Sequence, residues 1–355
     1  MSRKFLKFIA YLQVIGIILV VLGHSFHEYP DGSQGKTMLF YRMLYSFRMP
    51  LFMFVSGFLM VYTPKLRGNA PKVSKFVMTK IKRLLLPFAV LTLVTFIPRA
   101  MMSGMADDNL SLSLDSLLAA FIYQDRLVIP YFWFLQASFI LLIFSYITIT
   151  LGDMAKINHI VLYCGMIVLF LILPILPVSF TGVFSLNETA RLGIYFACGV
   201  AYGRFAPAID RVVPWTSFTF FFAAIALWAV AFHFTENTPY ITICSLLGIA
   251  MSVSLAKLLE KYDIRFIDHL IGANYMIFLL SWYFNVITQQ VLHHFVELPW
   301  WCYSVMSLIC GIYIPWLCYR YLNSHPESRW VKATAFLLGQ SLKPSKNSPA
   351  PAVRK

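Results

Sequence analysis

Charge is scarce in this chain: only 12% of its 355 residues are charged, about half the ~25% of an ordinary soluble domain. With 59% hydrophobic residues and a mean hydropathy of +0.71, the chain cannot cover its surface with polar groups. Lipid must be the solvent for much of it, which excludes a soluble domain. Acids are scarcer still, 15 against 29 Lys and Arg, and each falls in a loop or at the end of an apolar stretch. Ion-coupled carriers hold the coupling ion on a carboxylate at depth, so this absence argues against an ion-driven transporter. Neither GxxxxGK[ST] nor GxGxxG occurs, which leaves an ATP-driven pump and a Rossmann nucleotide site unsupported. The six cysteines form no CxxC and have no His partner at ligand spacing, so they read as apolar packers without disulfides. His293 and His294 beside Glu297 are only a fragment of a metal set, and no metal site is expected.

What is present is length in apolar runs. Ten stretches of spanning size lie near 6–26, 38–62, 84–102, 131–151, 159–178, 189–206, 216–234, 239–257, 271–292 and 299–322. The expected fold is all-α, a polytopic helical bundle in the membrane. Segment 109–124 is too short and interrupted to span and reads as an amphipathic helix on the outer surface. Alternate loops hold 23 of the 29 lysines and arginines. The positive-inside rule therefore puts both termini in the cytoplasm of a multi-pass protein of the cytoplasmic (inner) membrane. Anionic lipid headgroups on that face account for the net charge of +14 without nucleic acid. The N-terminal basic and apolar run lacks a small-x-small cleavage site and reads as an uncleaved first helix. One transmembrane domain, 1–322, is expected, followed by a basic, Pro- and Ser-rich tail, 323–355, expected to be disordered.

Four clusters could carry chemistry. "LQVIGIILVVLGHSF" puts His24 near the outer end of the first helix, where a neutral imidazole could take a proton from a hydroxyl. Glu28, four residues on, could orient the ring. The other reading of that residue is an interfacial histidine satisfied by water or a backbone carbonyl. "YSFRMPLFMFVSGFLM" buries Arg48 beside Pro50, with Ser56 and Gly57 as a small contact face. The proline should kink the helix there. Arg48 is a functional cation or a snorkelling anchor. "KIKRLLLPF" sets Lys80, Lys82 and Arg83 at a cytoplasmic entrance, where they anchor topology or hold the phosphates of a donor. "IPYFWFLQASF" places Trp133 and Phe134 at a span start, the usual place of an aromatic belt.

Taken together these motifs, with "YFACGVAYGRF" later in the chain, resemble the membrane acyltransferase-3 family, which includes O-acetyltransferases of bacterial surface polysaccharides. The resemblance covers most of the spanning region. It implies transfer of an acyl group, acetyl first, from cytoplasmic acyl-CoA to a hydroxyl of a cell-envelope glycan or lipid-linked sugar. No cofactor would be bound; acetyl-CoA is a co-substrate, and membrane lipids are the remaining partners. His24 would be the base and Arg48 part of the active site. Lys80, Lys82 and Arg83, with Gln13 and Trp133, would serve donor binding. Two positions depart from the family pattern: Gln13 stands where an arginine is common, and Ser281 where a late histidine is common. A second reading is an export component for polysaccharide or lipid-linked saccharide, in which Arg48 holds an anionic substrate.

Overall fold

The computed structural model describes residues 4–26, 35–62, 71–101, 110–176, 182–234, 238–295 and 298–342. Among these the chain is helical, with one isolated bridge between Tyr123 and Val183. The helices are α1 (Lys4–Ser25), α2 (Gly35–Tyr45), α3 (Arg48–Tyr62), α4 (Val73–Lys80), α5 (Leu86–Met101), α6 (Leu114–Ile122) and α7 (Trp133–Met154). They continue as α8 (His159–Ile172), α9 (Leu186–Val212), α10 (Phe218–His233), α11 (Thr238–Lys261), α12 (Asn274–Phe295), α13 (Trp300–Ser324) and α14 (Arg329–Leu337).

Seven helical segments among the described residues are long and apolar enough to cross a membrane. The other three expected spans are also helical. His159–Ile175 and Phe218–His233 are shorter apolar helices. Asn274–Phe295 has the length, 22 residues, but carries Asn285 and Gln289 along it. The protein is thus a polytopic helical membrane protein, and helices suit lipid because they satisfy most of their own backbone polar groups. The segment expected to lie flat contains α6. It is started by Ser113, whose hydroxyl accepts from the Ser116 N–H at 3.2 Å, as a helix cap does.

The closest packing is between α3 and α9. A Cβ on Gly57 would lie 2.1 Å from the Phe196 carbonyl oxygen, and one on Gly199 would lie 2.0 Å from that of Phe54. With Gly203 a turn further on, this is the small-xxx-small face that lets two membrane helices touch backbone to backbone. α1 runs against α3, α11, α12 and α13, so its side chains reach much of the bundle. At one end of α1 Lys7 pairs with Asp263 at 2.7 Å, while Lys257 and Tyr202 both hold Asp210, at 2.6 and 2.8 Å. Arg265 and Lys7 together hold the Asp263 carboxyl down to about 2, Arg265 contributing more.

The disordered tail read from the sequence does not hold over Arg329–Leu337. Val331 and Ala335, one turn apart, are buried, and α14 packs near α5. Gly339 ends it in the left-handed region, with φ at 61°. The Gly339 N–H bonds the Phe336 carbonyl and the Gln340 N–H that of Ala335, a Schellman close. The Pro- and Ser-rich signal belongs to residues 343–355, outside the described residues.

Candidate active site

α2 and α3 are two pieces of one apolar stretch, broken at Ser46 and Phe47. Proline is the cause. Pro50 has no N–H for the carbonyl four residues back, and its ring would clash with it. The orphaned Ser46 carbonyl instead accepts from the Ser245 hydroxyl at 2.5 Å, and the Ser46 hydroxyl accepts from Trp228 Nε1 at 3.2 Å. The expected kink is therefore a full break, and Arg48 becomes the first residue of a new helix rather than a mid-helix side chain.

Arg48 is 2% exposed, the largest of the fully buried side chains. Its Nη1 donates to the Val20 carbonyl at a long 3.4 Å, and its Nε has no hydrogen-bond partner among the described residues. The Tyr45 ring centroid lies 3.4 Å from Cζ. That of Tyr41 lies 5.9 Å away, so the cation rests on aromatic faces. No carboxylate among the described residues lies against it. A buried guanidinium with a donor in reserve suits a ligand oxygen or a developing oxyanion.

His24 is on the same stretch of α1. The carbonyl that Arg48 reaches, Val20, is one turn before it, and Gly23 beside it faces the guanidinium. The His24 ring is half-buried and lies 5.3 Å from the Tyr131 ring, tilted at 40°. Tyr131 is buried just before α7, where Pro130–Phe132 make a 3-10 turn. Its hydroxyl lies 3.5 Å from the Leu279 carbonyl, 3.4 Å from the Trp282 N–H and within reach of Ser281. The structure thus brings together His24, Arg48, Tyr131 and Ser281. Glu28 lies outside the described residues.

Sequence alone does not single out Tyr131, although it sits in the "IPYFWFLQASF" motif two residues before Trp133. Trp133 itself is half-buried and packs edge-on to Phe134. Phe134, with Phe52 and Phe278, forms an aromatic wall that meets Tyr131. Gln13 is half-buried on the same face of α1 as His24. Three turns separate them, about 16 Å at about 1.5 Å per residue.

The basic cluster lies apart from this group. Ile81–Leu85 form a π-helical turn between α4 and α5, a widening frequent at functional sites. Lys82 and Arg83 are exposed there, and Lys80 is half-buried with Nζ 5.1 Å from the Phe76 ring. Arg83 stands over the Tyr275 ring at 5.6 Å, and the Tyr275 hydroxyl donates to the Arg83 carbonyl. Gly339 packs on the same turn, where a Cβ would lie 2.8 Å from that carbonyl. All six cysteines are free thiols, and no cluster of potential metal ligands occurs among the described residues.

A family model described as an acyltransferase domain matches residues 6–320. No curated protein matches the chain. No solved structure matches it.

Proposed function

Because the chain belongs to the membrane acyltransferase-3 family, whose domain spans residues 6–320, we propose that this membrane acyltransferase moves an acetyl group from cytoplasmic acetyl-CoA to a sugar hydroxyl. The acceptor is a cell-envelope glycan or lipid-linked sugar on the far side of the cytoplasmic membrane. The observation that carries this reading is Arg48, buried without a carboxylate among the described residues and with an unused Nε, bonded to the carbonyl one helical turn before the half-buried His24.

In the proposed reaction His24 takes the proton of the acceptor hydroxyl as its oxygen attacks the thioester carbonyl. Arg48 is held between the Val20 carbonyl and the Tyr45 face. It stabilises the tetrahedral oxyanion from there without having to reorganise. The oxyanion then collapses, the C–S bond breaks, and CoA leaves as a thiol with the proton that His24 carried. The pantetheine arm is thin enough to run between helices along the Gln13–His24 face of α1. Lys80, Lys82 and Arg83 meet the CoA phosphates at the other end. Trp133 and the aromatic wall keep water from the thioester.

Mass spectrometry of the envelope glycan from wild-type and deletion strains tests the proposal. Loss of an ester with the polymer still exported supports it. Polymer retained inside the cell, with esters intact, supports the export reading instead.

A further inference from the structure

Between α1, α12 and α13 runs a column of polar side chains that the chemistry above does not use. Gln289 Nε2 donates to the Ser25 carbonyl at 3.1 Å and to the Ser307 hydroxyl at 3.2 Å. The Ser307 hydroxyl in turn lies 3.5 Å from the backbone carbonyl of Asn285. Asn285 is 1% exposed, yet neither Nδ2 nor Oδ1 of its side chain has a hydrogen-bond partner among the described residues. The hydroxyl of buried Ser304 is likewise unpartnered among them.

A buried primary amide has two donors and an acceptor to satisfy, and membrane interiors leave such groups unmade only at a cost. Here the fold holds the amide closely against a glycine. A Cβ on Gly311 would lie 2.0 Å from Asn285 Oδ1, so any other residue at 311 would displace the amide. The column is also tied to the candidate active site at both ends. Ser281, Asn285 and Gln289 follow one another along α12, and their four-residue spacing puts them on one face. Ser281 meets the Tyr131 hydroxyl under the His24 ring, and Gln289 holds the carbonyl of Ser25, the residue after His24.

Depth along α13 indicates which substrate enters. Ser304 is four residues from the Trp300 end of the helix and Gly311 is eleven. At about 1.5 Å per residue these are depths of roughly 6 Å and roughly 17 Å along the axis. The column therefore leads in from the end of the bundle that carries Ser25, away from Lys7 and the basic turn. Its named members carry no charge, so they suit neither phosphates nor a carboxylate, and their hydroxyls and amides do not suit an apolar chain. Neutral, closely spaced hydroxyls fit.

We propose that this column is the acceptor subsite and recognises neighbouring hydroxyls of a sugar ring. Asn285 Oδ1 accepts from one hydroxyl and Nδ2 donates to the next, which leaves a further hydroxyl facing His24. This inference rests on the acyl-transfer reading above and adds to it the group that selects the acceptor.

The test uses full-length protein in proteoliposomes loaded with acetyl-CoA and given methyl hexopyranosides outside, each also as its monodeoxy analogues. Wild type should lose at least tenfold in kcat/KM when the hydroxyl beside the acylated one is missing. Asn285→Ala should raise the acceptor KM at least tenfold, leave the donor KM unchanged, and no longer distinguish the deoxy analogue from the parent. Gly311→Ala, which removes no polar group but displaces the Asn285 amide, should reproduce that loss of discrimination. If Asn285→Ala discriminates as wild type does, the amide is filled by water alone and the inference falls. A change in donor KM instead would assign the column to the donor and overturn it equally. Absence of transfer by wild type to any sugar would sink the acyl-transfer reading itself, an outcome the Asn285 variant does not produce.

Discussion

The guanidinium of Arg48 fills the place that a side chain on residue 23 would need: a Cβ on Gly23 would lie 1.8 Å from Nη1 and 2.9 Å from Cζ. Gly23 is inside α1, where glycine costs about 1 kcal/mol relative to alanine, so its presence there favours the cation rather than the helix. Gly23→Ala should push Arg48 off the Val20 carbonyl and lower acyl transfer at least tenfold at matched insertion. Gly16→Ala is the control. Its Cβ would first meet the Phe52 ring, at 3.1 Å, and a ring can give way slightly. Equal activity of the two variants would show that the Arg48 position does not matter to the reaction.

His24→Ala should leave an inserted protein, because the ring is half-buried and its described neighbour is Tyr131. Transfer should fall at least about a hundredfold if the imidazole is the general base. Arg48→Lys should not rescue fully, since an ammonium cannot offer two parallel donors from one plane. Ester formation at matched insertion decides; near-normal transfer by His24→Ala assigns the proton transfer elsewhere.

Most of the helices were legible because apolar run length is a direct reading of bilayer thickness. Breaks inside a run were less so. Pro50 announces a disturbance near Arg48, but the break extends over Ser46 and Phe47 because Ser245, 199 residues away, takes the freed carbonyl. No local pattern carries that partner. Tyr131 was hidden for a related reason. In the sequence it is one aromatic among "YFWF", and only the packing of α12 against it and the His24 ring sets it apart from Trp133. The helix at Arg329–Leu337 was obscured by the Pro- and Ser-rich residues that follow it. Its short apolar pair, Val331 and Ala335, has meaning only once a partner surface is present.

Orientation gives a separate prediction. If all ten apolar stretches cross and both termini are cytoplasmic, a cysteine introduced by Asp31→Cys in a cysteine-free background should react with an impermeant maleimide from outside. One introduced by Lys72→Cys should react only after permeabilisation. A reversed pattern would separate His24 from the side where a secreted acceptor waits, and the two-sided reaction would fail with it.

The basic turn makes the last prediction. Lys82 and Arg83 are exposed on a π-helical turn whose carbonyls are held by the Tyr275 hydroxyl and crowded by Gly339. If this turn grips the CoA phosphates, Lys82→Gln with Arg83→Gln should raise the donor KM about tenfold or more and change kcat less, because the lost contacts exist equally in ground and transition states. Gly339→Val should act in the same direction while keeping both charges. Its φ of 61° is left-handed, and its Cβ would press on the Arg83 carbonyl. A side chain is disfavoured on both counts. A rise in donor KM from both variants identifies the shape of the turn, as well as its charge, with donor binding. A rise from the charge variant alone would leave α14 as packing only, and no rise from either would reduce Lys82 and Arg83 to anchors at the headgroups.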